Sequence, residues 1–237
     1  MLFILCAKGG NNMSGNINEQ IEKMGEFFNK RADTYEDHMK ETVECFAEYY
    51  KDISRPIKET KENIAILDLG CGTGLELEGI FEKAPNSKIT GIDMSEEMMS
   101  KLKEKYKNKL ENISLIKDSY LTLPFEKENY EYVISCMTMH HFVKGEKLEL
   151  YKKIKQALKP GGKYVEGDYV VSKEEEIECL DRYYDLMNSL NEEEKELYHI
   201  DIPFTIETQK ELLKEAGFIN IEVIWQVENK IIMVAQV

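Results

Sequence analysis

The hydrophobic pattern of the chain changes near residue 60. Between residues 17 and 60, apolar and aromatic side chains recur at three- and four-residue spacing among many charges. This spacing predicts two or three amphipathic helices. From Asn63 onward, short apolar runs of strand length alternate with stretches of helical periodicity. The chain is therefore predicted to begin with helices and to continue as alternating strands and helices.

Five short apolar runs predict the strands of a parallel sheet, at residues 64–69, 88–93, 113–118, 130–137 and 162–171. Helices are predicted near 74–83, from Ser95 onward, over 148–159, over about 173–198 and over 205–218. Two further apolar runs flank Glu228 and Asn229, which predicts a terminal hairpin. We therefore expect an α/β fold with a doubly wound, seven-stranded, mostly parallel sheet. A C-terminal antiparallel hairpin, N-terminal helices and a helical insertion after strand five complete it.

The length and the pattern predict one domain over residues 17–237. Within it, residues 17–60 are expected to form a helical cap and residues 171–204 a helical insertion or lid. Residues 171–200 hold ten acidic side chains against three basic ones, a net charge of −7. Such a segment is typical of a solvated helical face, or of a lid that favours a cationic or neutral substrate. Residues 1–16 are predicted to be disordered, with Met13 and Met24 as alternative starts.

Charge and cysteine content narrow the possible functions. The net charge of −14 disfavours a nucleic-acid substrate, because phosphate contacts need clustered lysines and arginines. The five cysteines show no CxxC or CxxxC spacing, which argues against a zinc site and a disulfide framework. No third ligand is spaced near Glu166 and Asp168, so we expect no metal. A six-residue apolar run at the N-terminus is too short to span a membrane. A cytoplasmic protein without membrane association is expected.

The first predicted strand runs directly into the stretch DLGCGTG at residues 68–74. A strand, a glycine loop and a helix in this order predict a nucleotide-binding unit, whose ligand lies beyond the C-terminal ends of the strands. The spacing is GxGxG rather than the GxGxxG of dinucleotide sites, and no Lys-Ser/Thr pair follows as in a phosphate-binding loop. No lysine or arginine occurs between Ile64 and Phe81. The loop therefore favours a ligand without phosphate.

Polar side chains also end the next two predicted strands. Asp93 ends strand two, 19 residues beyond Gly74, where it can accept both hydroxyls of a ribose. Asp118 and Ser119 end strand three, where they can receive the amine of an adenine. Together with the cation-free loop, they indicate a ligand with a ribose, an adenine and a positively charged part. S-adenosyl-L-methionine has these three features.

At these motifs the chain resembles the class I S-adenosylmethionine-dependent methyltransferases. DLGCGTG is similar to their first motif, GIDMS to the second, IKDS to the third and LKPGGKYV to the entry into strand five. FNKRADTYEDHM is similar to the segment that folds over the cofactor. The resemblance covers about residues 26–237. It implies an enzyme with S-adenosyl-L-methionine as cofactor and S-adenosyl-L-homocysteine as product.

The resemblance also implies which residues bind the cofactor. In this sequence they are Tyr35, Asp68, Gly70, Cys71, Gly72, Gly74, Asp93, Met94, Asp118, Ser119 and Cys136. Asp68 would support the amino-acid end of the cofactor. Asp93 and Met94 would hold the ribose and flank the adenine, and Asp118 and Ser119 would address the adenine edge.

His140 and His141 follow strand four, where the methyl group and its acceptor should meet. Methyl transfer from a sulfonium is an in-line displacement with a neutral leaving group, so alignment and exclusion of water can supply much of the catalysis. A histidine titrates near neutral pH. Either histidine is therefore a candidate base or a residue of the acceptor pocket, with simple packing under the loop as the alternative.

The acceptor itself stays open. The C-terminal arrangement resembles small-molecule methyltransferases, and the acidic charge favours a small-molecule acceptor with an oxygen, nitrogen or carbon nucleophile. A fainter resemblance is to enzymes that modify the wobble uridine of tRNA with a carboxylated cofactor. Those need an arginine for the extra carboxylate, and this chain has only Arg31, Arg55 and Arg182. A non-catalytic S-adenosylmethionine-binding protein and a nicotinamide oxidoreductase are further alternatives. The oligomeric state is not predicted.

Overall fold

The computed structural model describes residues 22–191 and 197–237, so the tail predicted over residues 1–16 lies outside the described residues. Seven strands of the described residues form one sheet: β1 Ala65–Leu69, β2 Lys88–Asp93, β3 Ile113–Lys117, β4 Tyr130–Cys136, β5 Leu158–Tyr169, β6 Ile219–Val227 and β7 Lys230–Gln236. Their order across the sheet is β3-β2-β1-β4-β5-β7-β6. Strand β7 is antiparallel to both neighbours, and all other pairs are parallel. The predicted mostly parallel sheet with a terminal hairpin is confirmed.

Eight α-helices occur in the described residues: α1 Met24–Arg31, α2 Tyr35–Thr42, α3 Phe46–Ile53, α4 Leu77–Lys83, α5 Glu96–Lys105, α6 Lys144–Ala157, α7 Lys173–Ser189 and α8 Ile206–Glu215. None of these described helices combines the length and the apolar character that crossing a bilayer requires. Apolar side chains from both faces of the sheet form two separate cores. Ile66 and Leu67, neighbours in β1, belong to different cores because strand side chains alternate between the faces.

Strand β5 begins four residues before its predicted start. Helix α6 ends at Ala157, and Leu158 already pairs with Tyr130 in β4. The ladder then shifts register and resumes where Tyr132 pairs with Lys163. Pro160 and the two glycines after it therefore form an irregular start of the strand rather than a separate turn.

Helix α1 packs at the N-terminus of α5, beside the C-terminal edge of the sheet. Ser95 accepts a hydrogen bond from the backbone N–H of Met98 at 3.2 Å, which confirms its predicted role as the N-cap of α5. The Ser95 hydroxyl also lies 2.8 Å from Oδ1 of Asn29 in α1. The cap of α5 thus fixes the position of the N-terminal helices.

A segment that we call the strap, residues 197–202, crosses the same edge of the sheet. Tyr198 forms an isolated antiparallel bridge with Lys23, just before α1. The Ile202 backbone N–H donates to the carbonyl oxygen of His140 at 2.6 Å. The strap therefore joins the beginning of α1 to the turn that follows β4.

Glu176 of α7 anchors the helical insertion to the domain. Its side chain is fully buried and lies 2.8 Å from both Lys144 Nζ and Lys173 Nζ. It also accepts hydrogen bonds from the backbone N–H of Thr205 at 2.9 Å and from the hydroxyl of Thr208 at 3.0 Å. Burial opposes ionisation, but these donors outweigh it and lower the pKa of Glu176 to about 2. Glu176, one of the acidic residues of this segment, therefore holds α7 to the domain from the inside, and we call it the latch.

Candidate active site

A cleft opens beyond the C-terminal ends of the central strands, where parallel α/β sheets commonly bind ligands. It encloses about 570 Å³, part of which is open to solvent. Seven of the predicted cofactor residues line it: Tyr35, Gly70, Gly72, Asp93, Met94, Ser119 and Cys136. Among the described residues, no lysine or arginine lines this cleft. Its lining suits a ligand with little negative charge.

The floor of the cleft is the glycine loop after β1. Gly70, Gly72 and Gly74 all have positive φ angles, of 70°, 46° and 69°. A Cβ atom added to Gly70 would lie only 2.7 Å from Oγ1 of Thr138. The loop therefore needs glycine at Gly70 for its backbone angle and for the close approach of the turn after β4.

Asp93 ties the glycine loop to α5. Its Oδ2 accepts a hydrogen bond from the Gly72 N–H at 2.8 Å, and its Oδ1 accepts one from the Ser95 N–H at 2.7 Å. Burial raises the pKa of Asp93, and these backbone donors partly offset the rise. A carboxylate oxygen can accept more than one hydrogen bond, so the carboxylate can still receive donors from a ligand.

Asp68 lies at the base of the loop and is 1% exposed. Its two carboxylate oxygens, and Oε1 of the neighbouring Glu76, are buried without a hydrogen-bond partner among the described residues. Burial, followed by the nearby Glu76, raises the pKa of Asp68 well above its usual range. A cationic group in the loop would supply the partner that these oxygens lack. The arrangement therefore fits the ammonium end of S-adenosyl-L-methionine.

Four of the predicted cofactor residues do not line the cleft. Asp68 and Cys71 are buried beneath it, and Gly74 packs against Leu102 of α5. Asp118 is exposed, and its Oδ1 accepts a hydrogen bond from the N–H of the next residue at 2.6 Å. Their roles toward the cofactor stay predictions.

Sequence reasoning missed several side chains of the cleft wall: Met24, Phe28, Met98, Tyr120, Met137, Thr138, Phe142 and Leu197. Three of these directly follow predicted residues at the strand ends, which is a signal that could have found them: Tyr120, Met137 and Thr138. The Tyr120 hydroxyl lies 2.6 Å from the Thr138 hydroxyl. Met24 and Leu197 carry no such signal, because only the packing of α1 and the strap brings them to the cleft.

A 3-10 turn, Met139–His141, follows β4 and carries both candidate catalytic histidines. The Nδ1 atom of His140 lies 2.6 Å from Oδ1 of Asp168, and the His140 backbone N–H donates to Oδ2 of the same carboxylate at 2.9 Å. Asp168 is in β5, next to β4 in the sheet. The carboxylate therefore fixes both the backbone and the ring of His140.

Asp201 of the strap lies against the imidazoles. Its Oδ1 is 3.3 Å from His141 Nδ1, 3.8 Å from His140 Nε2 and 3.8 Å from His199 Nε2. The ring of His199 stacks on Phe27 of α1, with 3.5 Å between the ring centroids. Of this group, His141 lines the cleft. The structure thus places three histidines and two aspartates in one cluster beside the cofactor cleft, and all of them except the partly exposed His199 are buried.

The environment shifts the pKa values of the histidines in opposite directions. Burial disfavours the charged form of His140, but the carboxylates of Asp168 and Asp201 outweigh it and raise its pKa. Burial, followed by the charge of His140, lowers the pKa of His141. Burial is also the main cause that lowers the pKa of His199 to about 3. The turn therefore pairs an imidazole that favours its protonated form with one that favours its neutral form.

The comparisons with known proteins agree with this geometry. Residues 66–162 match the family model described as a methyltransferase domain. The chain is 26% identical to a carboxy-S-adenosyl-L-methionine synthase of Nautilia profundicola over 225 residues, which cover 90% of this chain and 94% of that protein. It is 32% identical to the synthase of that name from Trichodesmium erythraeum over 183 residues, 72% of this chain and 71% of that protein.

A solved structure has a similar fold. It is phosphoethanolamine N-methyltransferase 2 of Haemonchus contortus in complex with phosphomonomethylethanolamine and S-adenosylhomocysteine, with a TM-score of 0.56 and 23% sequence identity. The similarity covers 74% of this chain, which spans 38% of the length of that one. The chain belongs to the class I S-adenosylmethionine-dependent methyltransferase family. It is an enzyme of that family, and S-adenosyl-L-methionine is its cofactor.

Proposed function

We propose that the protein transfers a methyl group from S-adenosyl-L-methionine to a small-molecule acceptor with an oxygen, nitrogen or carbon nucleophile. The observation that carries this proposal is the buried histidine and aspartate cluster at the edge of the cofactor cleft. His141 belongs both to that cluster and to the cleft lining. An acceptor next to His141 would therefore also be next to the cofactor.

The residues of the cleft have separate roles in this proposal. Asp93 accepts hydrogen bonds from the ribose while it keeps the glycine loop in place, and Asp68 compensates the charge at the amino-acid end. Met94 and Ser119 contact the adenosine part, and the backbone of Gly70, Gly72 and Cys136 faces the methionyl part. The cofactor supplies an electrophilic methyl group for in-line displacement. What the protein adds is alignment of the acceptor and exclusion of water.

His140 and His141 are the proposed catalytic residues. Asp168 fixes the ring of His140, so the nitrogens of the turn have defined positions. We propose that they contact the nucleophilic group of the acceptor and orient it. Both side chains are buried, so their hydrogen bonds to an acceptor would compete with little bulk water.

Residues 17–60 and 171–204 are proposed as the cap and the lid of a single domain over 17–237. Met24, Phe28 and Tyr35 from the cap line the cleft, and so does Leu197 from the lid. The isolated β-bridge between Lys23 and Tyr198 of the strap joins the cap to the lid. Opening of this bridge would admit the cofactor, and its closure would exclude water.

A small acceptor is favoured over a nucleic acid for two reasons. The whole chain has a net charge of −14, which repels phosphate backbones. The cleft also has no lysine or arginine among its described lining residues. A partner with many phosphates would find no cationic side chain among the described lining residues.

The second candidate function is synthesis of a carboxylated S-adenosylmethionine, which the names of the two relatives suggest. An additional carboxylate on the cofactor would need a cationic partner. Arg31 contacts Glu22 at 2.8 Å and the ring of Phe27, and it does not line the cleft. The described lining of the cleft, which has no lysine or arginine, therefore favours methyl transfer.

The first test is calorimetry with S-adenosyl-L-homocysteine. We expect binding to the unmodified chain and no binding of NAD. Asp93→Ala should lose roughly 1–3 kcal/mol of binding free energy, because charge-assisted hydrogen bonds are lost. Asp181→Ala, which removes an exposed carboxylate of α7, is the matched control and should bind as the unmodified chain does. Equal affinity of the Asp93 and Asp181 variants would refute the role of Asp93.

The second test identifies the reaction. Mass spectrometry should detect a methylated product and S-adenosyl-L-homocysteine when the enzyme is screened against small-molecule acceptors. Detection of a carboxylated S-adenosylmethionine would instead support the second candidate. His140→Ala and His141→Ala should each lower turnover while binding of S-adenosyl-L-homocysteine is retained. Full turnover in both variants would contradict the proposed catalytic residues.

A further inference from the structure

We propose that His140, His141 and Asp201 form a binding site for a divalent transition-metal ion. Each residue offers one ligand atom, and the three atoms lie within 4.8 Å of one another. All three residues are buried. Methyl transfer from a sulfonium does not require a metal, so this inference goes beyond the proposed function.

The distances agree with the size of a coordination sphere. His141 Nδ1 and His140 Nε2 lie 3.3 and 3.8 Å from Oδ1 of Asp201. Ligand atoms about 2.0–2.2 Å from a tetrahedral zinc ion are separated from each other by roughly 3.3–3.6 Å. Small side-chain shifts would therefore bring the three atoms around one ion.

The oxygen of Asp201 at the centre of the cluster has no satisfactory partner. Oδ1 is buried, and no donor among the described residues meets it with good hydrogen-bond geometry; His141 Nδ1, at 3.3 Å, is the nearest ring nitrogen. The Asp201 side chain is 7% exposed, so water cannot readily solvate this atom. A buried carboxylate oxygen without a hydrogen bond is costly, and a cation among the imidazoles would remove that cost.

Asp168 orients the ring of His140 in the way that a carboxylate next to a metal-bound histidine orients that ring. It lies 2.6 Å from Nδ1 of His140, so Nε2 of that ring remains for the ion. Histidines that bind metals commonly donate their other N–H to a carboxylate, which fixes the ring and its tautomer. Asp168 is thus the positioning residue of the proposed site.

The donor set indicates the class of ion. Two imidazole nitrogens and one carboxylate oxygen suit Zn²⁺, Co²⁺ or Fe²⁺, whereas Mg²⁺ and Ca²⁺ prefer oxygen ligands throughout. Three protein ligands leave a coordination position for a water or a heteroatom of a substrate. When the ion is bound, His140 and His141 would act on the acceptor through it. The ion would also tie the strap to the turn after β4.

Spacing along the chain alone led to the expectation of no metal. No third ligand lies near Glu166 and Asp168 in the sequence. The third ligand of this site, Asp201, lies 60 residues beyond His141 in the sequence. The fold brings the two together through the hydrogen bond between the strap and the carbonyl oxygen of His140.

The test uses the full chain after removal of metal by a chelator, without cofactor or acceptor. Calorimetry with Zn²⁺ should give one ion per chain. Co²⁺ should give visible absorption of a low-symmetry nitrogen and oxygen site, without a thiolate charge-transfer band. Asp201→Asn and His141→Gln should each weaken binding by about 100-fold or more, and Asp168→Asn by roughly 10–100-fold. His38→Gln, which removes the histidine outside the cluster, should leave binding unchanged.

Three results would overturn the proposal. They are no uptake of Zn²⁺ or Co²⁺, uptake that the Asp201 and His141 variants do not weaken, and a cobalt spectrum with thiolate ligation. Circular dichroism should first show that each variant is folded, and Zn²⁺ should raise the melting temperature of the unmodified chain but not of Asp201→Asn. Because no methyl transfer is measured, failure of the proposed function would not affect these readouts.

Discussion

Lys147 and Glu166 form an ion pair beneath the candidate active site, and removing one partner should cost more stability than removing both. Each side chain is 1% exposed, and Lys147 Nζ lies 3.0 Å from Oε1 of Glu166. The Tyr151 and Tyr164 hydroxyls donate to Oε2 of Glu166 at 2.6 and 2.9 Å. Glu166 therefore has three contacts that depend on its charge and shape, two residues before Asp168.

The size of the effect follows from burial. Lys147→Met leaves the carboxylate of Glu166 buried without its cation, which should destabilise the fold by about 3–5 kcal/mol. Glu166→Gln keeps an acceptor for the two tyrosines but leaves the ammonium with Gln209 as its remaining partner, at 3.0 Å. The double variant buries no charge at this position. Its loss should be smaller than the sum of the single losses by about 2 kcal/mol or more.

Denaturant unfolding of the four proteins would measure this coupling. The matched control is the pair Lys152–Glu149, which is 2.8 Å apart, close to the 3.0 Å of the buried pair, but has side chains 41% and 73% exposed. Its double-mutant cycle should give a coupling of about 0–1 kcal/mol. If the two cycles gave the same coupling, the argument that burial determines the strength of the Lys147–Glu166 pair would be refuted.

Three further predictions concern Gly70 of the glycine loop, the buried Glu176 of α7, and Ser95 at the N-terminus of α5. Gly70→Ala should weaken binding of S-adenosyl-L-homocysteine in calorimetry by at least about 10-fold, because the added methyl group would meet Thr138. Gly145→Ala in α6 is the control, because a methyl group there would lie in open space and should not change binding. Equal losses of affinity in the two variants would contradict the steric reason. Glu176→Gln should cost about 2 kcal/mol in unfolding experiments at pH 7. Since the pKa of Glu176 is lowered to about 2, the difference in unfolding free energy between the two proteins should vanish as the pH falls from about 4.5 toward about 2. A difference that does not change with pH would contradict the stabilising role of the Glu176 carboxylate. Ser95→Ala should lower thermal stability by about 1 kcal/mol through loss of the α5 cap, whereas an unchanged melting temperature would refute it.

The strands were predictable because their residues are locally distinctive. The run at 88–93 is strand β2 with the predicted bounds, since apolar residues there end at a carboxylate and a capping serine. The irregular start of β5 was not predictable. Pro160 and Gly161 usually mark a turn, but pairing between Leu158 and Tyr130 extends the ladder across them.

The cofactor cleft was largely predictable for a similar reason. In a parallel sheet the carboxyl ends of neighbouring strands meet at one edge, so Gly70, Asp93 and Ser119 had to come together. Two roles were not evident from the sequence, because hydrogen-bond partners depend on the exact positions of the atoms. Asp93 links the glycine loop to α5, and Asp68 is a buried carboxylate without a hydrogen-bond partner among the described residues.

The sequence by itself determined the α/β class, the glycine loop and the preference for a cation-bearing nucleoside cofactor, because these depend on local periodicity and on residues at strand ends. Only the tertiary structure decided which distant side chains meet. Asp201 reaches His141 because the strap packs across the sheet edge, and Lys147 is buried because α6 lies over Glu166. Such contacts join residues far apart in the chain, and packing, which no local pattern encodes, sets them.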